Sequence, residues 1–574
     1  MLRRSESQPK RNTIIQYCLP DQSITKARVL STQPKKQGKW KDWVNVRVVG
    51  KDEASSVNWK DIIWWREAHE AEDVLILTSI DHYSQEIVDA KDKEYKNLLE
   101  HDVFEVVNDD GQSTISTKWI FHEKHDEQGK KLVKGRLVAR GFEERLADKK
   151  IDSPTCSRQG LRLVLTTASS MDWEINSMDI SAAFLQGNEL TRPVFIQPPP
   201  ELHEEGKIWK LKRCLYGLSD APREWYNRLS MELKNLGGII SLYDKSMFIW
   251  HNKAKELEGL ISIHVDDFEY CGTSQWHKNV IEKLCIMFKI SNQHSGSFKY
   301  VGLNIEQNGT EIFVDQQAYI KELTEISIER NRKTQIDDQL TDDEKKILRS
   351  VSGQLLWTTS QTRPDLAFQS CIISNYGATA TVKSLSEANK AIRKLKNDKM
   401  KMCFPGLGNP NDMKVVAYGD GSHASLPSGA SQGANIVFLA GNGRAAPVTW
   451  KSKKLDRITK SPLASEVMSV ADAADSGFLV ASLVQEIFQL KEMPSIQICT
   501  DSKSLQEHLE TKKVIQDPRL RVDTARLREM TEIGEVKIKW VPTRLMLADA
   551  LTKNCASTEL LRQVLVSGRL PDVL

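Results

Sequence analysis

Residues 261–272 read ISIHVDDFEYCG, and two adjacent carboxylates interrupt what is otherwise the pattern of a buried strand. Neighbouring side chains of a regular strand point to opposite faces. Asp266 and Asp267 therefore converge on one ligand only at a tight turn, with ISIHV entering and FEYCG leaving. Enclosed carboxylates without a partner take up a proton or stay out of the interior. A divalent cation removes that conflict, because it prefers oxygen ligands and neutralises several acids at once. The competing reading is a solvated Asp-Asp surface turn, and the apolar flanks weigh against it.

Asp179, in WEINSMDISAAFLQG, ends a similar alternation, in which Trp173, Ile175 and Ser177 interleave with Glu174, Asn176 and Met178. Three carboxylates gathered by folding suffice for two Mg²⁺ ions. One ion activates a 3′-hydroxyl and the other stabilises a departing pyrophosphate.

A second set of acids follows residue 412. Asp420 ends the strand KVVAYGD. Glu466 lies in a helix capped by Ser461 and opened by Pro462, beside an apolar stripe of Leu463, Val467, Val470, Ala471 and Ala474. Asp501 follows SIQICT, and Asp549 falls in LMLADALTK after the strand VKIKWV, with Asp523 and Glu529 as nearby competitors for its place. Acids at two strand ends and on two helices can surround another metal pair. Hydrolysis of an RNA phosphodiester needs that arrangement, one ion activating water and the other stabilising the leaving 3′-oxygen.

Bulk composition narrows the setting. The chain has 574 residues, 40% hydrophobic and 27% charged, with a net charge of +3; this suits a globular protein of about four domains. The charge is uneven. Residues 1–50 carry Arg3, Arg4, Lys10, Arg11, Lys26, Arg28, Lys35, Lys36, Lys39, Lys41 and Arg47 against Glu6, Asp21 and Asp42. Such a segment either contacts phosphates or is a poorly ordered, solubilising terminus. The nine cysteines form no Cys-x-x-Cys pair and no zinc-ligand cluster, which fits a reducing compartment. No apolar run approaches the ~20 residues of a membrane span, and MLRRSESQPK is not a signal peptide. The expectation is an intracellular protein, cytoplasmic or nuclear, with no membrane partner; its oligomeric state stays open.

TKWIF, GRLVARGF, SPTCS, MDISAAFLQG, LYGLSDAPREWY, HVDDF, FKYVGLNI and TRPDLAF resemble, in order and spacing, the reverse transcriptases of copia-type retrotransposons, from about Asp102 to Asp398. GDGSHA, SPLASEV, CTDSKSL and LADALTK are similar to the ribonuclease H of the same elements. The resemblance implies an α+β and α/β multidomain chain: a right-hand polymerase of fingers, palm and thumb, then a ribonuclease H-like domain. Asp179, Asp266 and Asp267 fall on the polymerase acids, and Asp420, Glu466, Asp501 and Asp549 on the nuclease acids, with two Mg²⁺ per site. Phe184 matches the aromatic under the incoming sugar, which favours deoxynucleotides. Lys124 and Arg136 lie on the hairpin HEKHDEQGKKLVKGR, which covers the triphosphate in similar enzymes, and Gly302 matches a turn that holds the primer end. The implied partners are an RNA template, a DNA primer, the RNA–DNA hybrid and deoxynucleoside triphosphates. The implied activity is RNA-directed DNA polymerase with ribonuclease H; the alternative is a decayed or co-opted copy that binds nucleic acid without catalysis.

Two positions depart from the family. His264 stands where Tyr is more usual, and Asp220 replaces a Gln; the acid either repels a triphosphate or pairs with Arg223. The expected divisions are a basic segment 1–60 of unknown role, a helical lead-in 61–100, fingers and palm 101–320, thumb or connection helices 321–403, a linker around Phe404–Asp412, a ribonuclease H-like domain 412–555 and a tail 556–574. Without a retroviral-type protease, zinc knuckle or integrase core, the chain resembles the distal part of a polyprotein.

Overall fold

The computed structural model describes residues 14–18, 24–29, 43–48, 54–58, 64–67, 85–125, 131–144, 151–426, 428–511, 517–554 and 556–571. The chain forms two compact units, residues 1–152 with 184–225, and residues 153–183 with 226–574.

The first unit begins with strands β1 (Ile14–Cys18), β2 (Ile24–Val29), β3 (Trp43–Val48), β4 (Ala54–Asn58) and β5 (Trp64–Glu67), hydrogen-bonded in the order β4-β3-β2-β1-β5. The expected basic arm is thus a folded sheet, and it runs past residue 60. Helix α1 spans Gln85–Glu100 and buries Ile87, Ala90 and Leu98. Leu99, next to Leu98 in the sequence, is 52% exposed. It lies one residue, about 100°, off the stripe. The inner position goes to Glu94, seven residues after Ile87 and four before Leu98, whose carboxyl is pushed up by burial. Next come β6 (Phe104–Asn108), β7 (Thr114–Ile115) and the hairpin of β8 (Thr117–His125) with β9 (Lys131–Ala139). The hairpin pairs without a break from Thr117↔Ala139 to His125↔Lys131. Its turn residues Asp126 and Gly129 lie outside the described residues. After an excursion through β10 (Asn176–Ile180), β11 (Phe195–Ile196) and β12 (Lys207–Leu211) complete a sheet of order β6-β12-β11-β7.

The second unit holds the acids. Strands β13 (Ile239–Ile240), β14 (Met247–His251), β15 (Leu257–His264), β16 (Asp267–Gly272) and β17 (Ile290–Ser295) build a sheet with β10 in the order β13-β14-β15-β16-β10-β17. Helix α2 (Arg158–Ser170), capped by Ser157, is buried along nearly its whole length. A further sheet joins β18 (Ser297–Tyr300), β19 (Leu303–Asn308), β20 (Glu311–Asp315) and β21 (Met402–Pro405). Phe404 and Pro405, read as linker, therefore end a strand paired to β20, and Leu407 is fully buried; apolar Phe404 and Leu407 outweigh the local Gly, Pro and Asn. Helices Asp342–Gln361, Ala367–Asn375 and Val382–Asn397 share a core of their own around Leu348, Leu355, Leu385 and Ile392.

The C-terminal module is a sheet of β22 (Lys414–Ser422), β23 (Gln432–Gly441), β24 (Arg444–Lys454), β25 (Ile496–Thr500) and β26 (Val536–Trp540), in the order β24-β23-β22-β25-β26. β25 runs parallel to β22 and β26, and the other pairs are antiparallel. Its 27-residue helix Pro462–Phe488 is long and apolar enough by length and composition to cross a membrane, yet it packs as a mostly buried core helix.

One apolar core runs from Leu161 and Val164 through Phe298, Met402 and Phe404 into Ile436 and Val470. At this join Arg162, 3% exposed, donates to the carbonyls of Val448 (2.8 Å), Ser360 (2.7 Å) and Gln361 (3.1 Å). Its guanidinium lies 3.7 Å from the centre of the Trp450 ring, whose Nε1–H donates to Thr359. α2, the end of helix Asp342–Gln361 and β24 are thus held at one point. Replacing Arg162 by Ala strands three buried acceptors and should lower stability by about 3 kcal/mol; a chemical-denaturation midpoint equal to the parent's would show that this join carries no such load.

Candidate active sites

The first acid group sits at the end of the β15–β16 hairpin. His264 pairs directly with Asp267, leaving Val265 and Asp266 as a two-residue connection. Val265 has φ +63°. A positive φ at the first of two turn residues marks the hairpin turn whose twist suits its strands, and it is strained for a β-branched side chain. Asp179, near the end of β10, pairs in register with Asp267, which sets their Cα atoms about 5 Å apart. The Ile180 N–H donates to the Asp266 carbonyl at 2.9 Å, and Ser291 donates its hydroxyl to the Asp179 carboxylate. Burial, then the charges of Asp266 and Asp179, push Asp267 up to about 6.

His264 faces Cys156, its Nδ1 3.7 Å from the Sγ. Burial lowers the imidazole pKa against the opposing pull of Asp266. Tyr300 donates weakly to the carbonyls of Ser262 and Asp267, both at 3.4 Å, and so braces both strands of the hairpin. Tyr300 ends β18, and Val301 and Gly302, both at positive φ, turn the chain into β19. Two residues beyond Asp267, Glu269 is fully buried with no hydrogen-bond partner on either oxygen among the described residues, and burial holds its pKa well above the usual range.

The second acid group is tighter. Carboxylate oxygens of Asp420, Asp501 and Asp549 all lie within 4.8 Å of one another. Asp420, inside β22, is fully buried. Asp501 follows β25, and Asp549 lies in a 3₁₀ turn, Leu547–Leu551, rather than the expected helix. Asp523, its competitor, pairs with Arg457 instead. Glu466 joins the group: burial, then Asp420 and Asp501, push it up to about 8, and its Oε2 is buried without a partner. Burial and then Asp420 also raise Asp549, to about 7.

Several residues that the sequence did not single out hold this group. Thr552 donates to Asp420, and Thr543 donates to Asp501 at 2.7 Å. Lys553 bonds Asp549 at 2.7 Å and reaches Asp420 at 3.4 Å. Burial opposes its charge, but these carboxylates outweigh burial and hold Lys553 above its ordinary value. A cluster with an orphaned buried carboxylate oxygen and acids raised by mutual repulsion fits a divalent cation.

In the first unit, Arg136 lies over the Tyr216 ring, 5.1 Å from its centre, and the half-buried Phe184 sits 5.8 Å from the same ring. Tyr216 is held where LYG crosses β9: a Cβ on Gly217 would fall 2.1 Å from the Ala139 carbonyl oxygen. The Lys124 side chain lies outside the described residues. Asp220 is bound by a cation 28 residues before it. It accepts two bonds from Arg192, at 3.0 Å from Nη2 and 3.2 Å from Nε, while Arg192 also bonds Glu144 and Arg223 bonds the Asp152 carbonyl.

Comparison with known proteins matches residues 101–335 to the family of reverse transcriptases (RNA-dependent DNA polymerases). Over these residues the chain is similar to reverse transcriptases. Over most of its length the chain is related to copia-type retrotransposon Pol polyproteins. It is 26% identical to the retrovirus-related Pol polyprotein from transposon RE1 of Arabidopsis thaliana, over 77% of this chain and 31% of that protein. It is 24% identical to the one from transposon TNT 1-94 of Nicotiana tabacum, over 82% and 36%. The chain thus spans about a third of the length of these relatives. Among solved structures, the foamy viral protease-reverse transcriptase in complex with an RNA/DNA hybrid aligns with a TM-score of 0.42 and 12% identity, over 99% of this chain and 74% of that one.

The glycine after Asp420 lets the second acid group assemble. A Cβ on Gly421 would lie 2.3 Å from the Ser465 carbonyl, next to Glu466. Gly421→Ala should push the Glu466 helix off β22 and lower stability by about 2 kcal/mol; a chemical-denaturation midpoint equal to the parent's would refute this packing argument.

Proposed function

We propose that this chain copies RNA into DNA at Asp179, Asp266 and Asp267 and degrades the RNA of the resulting hybrid at Asp420, Glu466, Asp501 and Asp549. One observation carries the reading: acids far apart in sequence form two groups, each with members whose protonation is favoured by burial and by their neighbours. These residues would hold Mg²⁺, two ions per site. Bound there, the ions activate the attacking oxygen and stabilise the leaving one.

The chain's own groups do the positioning. The strained turn at Val265 brings Asp266 beside Asp267, and Ser291 orients Asp179. Thr552 and Thr543 fix Asp420 and Asp501, and Lys553 offsets charge within the nuclease group. The roles of Lys124, Arg136 and Phe184 toward the nucleotide are those the resemblance implies. The partners are the RNA template, DNA primer, hybrid and deoxynucleoside triphosphates, the hybrid being held by its phosphates and its 2′-hydroxyls. Work on such templates places the protein inside the cell.

One observation favours a second reading, a decayed copy that binds nucleic acid. A fully buried Glu269 without partners is a cost that no catalytic role of the hairpin requires.

Two measurements decide. With an RNA template, a DNA primer and Mg²⁺, Asp266→Asn should abolish extension and spare RNA cleavage, and Asp501→Asn should do the reverse; parental behaviour from both variants would sink the site assignments. For Glu269, the folded state keeps a proton that the unfolded chain releases above its ordinary pKa, so stability falls as pH rises past that value. Glu269→Gln should therefore raise the Tm by several degrees at pH ~8 and by less at pH ~5. An equal or reversed difference would show that Glu269 is ionised and accommodated.

A further inference from the structure

Lys553 stands in the second acid group where a counter-ion would sit. Its backbone N–H donates to the Asp549 carbonyl at 3.1 Å, so the chain sets it one turn after that acid. The ammonium lies 2.7 Å from Asp549 Oδ1 and 3.4 Å from each oxygen of Asp420. It is thus equidistant from the two oxygens of one carboxylate and in direct contact with another. Oxygens of these two acids and of Asp501 lie within 4.8 Å of one another, so an ion drawing on the trio uses carboxylates that the ammonium already holds. The acids are fixed in place: Asp420 is fully buried and bonded by Thr552, and Asp501 is bonded by Thr543. The lysine side chain keeps 38% of its surface exposed. Its flexible four-carbon stem therefore has room to withdraw.

Charge sets the terms of that withdrawal. Mg²⁺ binds its oxygens at ~2.1 Å, so an ion on Asp420 or Asp549 comes within a few ångströms of the ammonium, where like charges oppose each other strongly. Two divalent ions match the carboxylates of Asp420, Glu466, Asp501 and Asp549 in full. With the ammonium still among them, the group holds a surplus of positive charge. We propose that Lys553 is a tethered counter-ion that competes with a divalent ion for Asp420 and Asp549, so that full metal loading requires its ammonium to withdraw. This rests on the reading of the group as a metal-dependent nuclease site. Lys553 is then a positioning residue: it holds the acids together before loading and sets the ion concentration at which loading is complete.

The test reads ion binding directly, without turnover, on the full chain with the first acid group silenced by Asp179→Asn and Asp266→Asn. Mn²⁺ is titrated and the free ion counted by electron paramagnetic resonance, with Mg²⁺ calorimetry in parallel. In this background Lys553→Met, which removes the charge and keeps the bulk, should tighten the weaker ion at least about fivefold, the lower end of ordinary coupling between two sites. Lys553→Arg keeps the charge and should bind no more tightly than the parent. In EDTA Lys553→Met should melt below the parent, and saturating Mg²⁺ should remove that deficit, because the ions then neutralise the acids. A lysine that merely braces the fold gives the opposite pattern: parental or weaker ion affinity in Lys553→Met, and a deficit in Tm that Mg²⁺ leaves unchanged. Either result would overturn the proposal. Lys553→Gln carries the same expectations should Lys553→Met fail to fold. Asp501→Asn in the same background separates the two readings. If it left Mn²⁺ binding intact, the metal-site reading would fall and take the proposal with it; if it removed binding while Lys553→Met bound like the parent, the role of Lys553 alone would fall.

Discussion

Mutual repulsion among enclosed carboxylates governs how this chain is built. Asp267 is raised by burial and two neighbouring acids, and Asp420 reaches full burial within 4.8 Å of two others. Unfolded, these groups would be solvated and far apart. The fold holds them together by covalent and steric means, which do not depend on the charges agreeing. At the first group the means is a hairpin whose turn places a valine at positive φ. At the second it is the approach of helix Pro462–Phe488 to β22, close enough that the position after Asp420 has no room for a Cβ. Lys553 and the two threonine hydroxyls recover part of the cost, and an oxygen-seeking cation would recover more.

Holding such groups requires stiff surroundings, and the core supplies them. Strands β15 and β16 are backed by α2, α2 is joined to β24 and to helix Asp342–Gln361 through Arg162, and β24 belongs to the sheet that carries Asp420. Arg162 is a buried cation bonded to carbonyl dipoles instead of a carboxylate. A carbonyl-bound guanidinium fixes three segments at once through directional bonds, where an apolar contact would let them slide.

How much of this was legible beforehand depended on whether the signal was local. Asp266–Asp267 stood out because apolar strands flank them on both sides. Glu466 was readable from its cap and stripe, and Asp501 from its strand. The sequence could not rank Asp549 above Asp523, because that choice turns on Arg457 lying 66 residues before Asp523 and taking it as a partner. Lys553 was inside a quoted motif, yet its meaning needs Asp420, 133 residues away. The basic N-terminal segment read as an arm because its strands are short and widely spaced. Only pairing shows that they join into one sheet. At Phe404–Asp412, turn-forming residues masked an edge strand whose burial is decided by β20.

The two unusual acids of the reverse transcriptase-like region have opposite settings, and the contrast separates tolerance from cost. Asp220 replaces the family's more usual Gln and is 1% exposed, so an unpaired charge there would be expensive. Arg192 meets it with a two-point contact and turns its remaining Nη1 to Glu144. The carboxylate is therefore compensated within the protein, which removes the reason to expect that it repels a triphosphate. It also reassigns the position: a residue that resemblance places in contact with nucleotide becomes an anchor between the segment before α3 (Ala221–Asn235) and the strand-leading segment at Arg192. Glu269 has no such partner. A substitution that recruits a cation 28 residues away fits a chain still shaped by its fold, whereas a buried carboxyl left alone draws on stability without return. Both occur in one reverse transcriptase-like region, so an unusual acid is not in itself a mark of decay; its nearest cation decides.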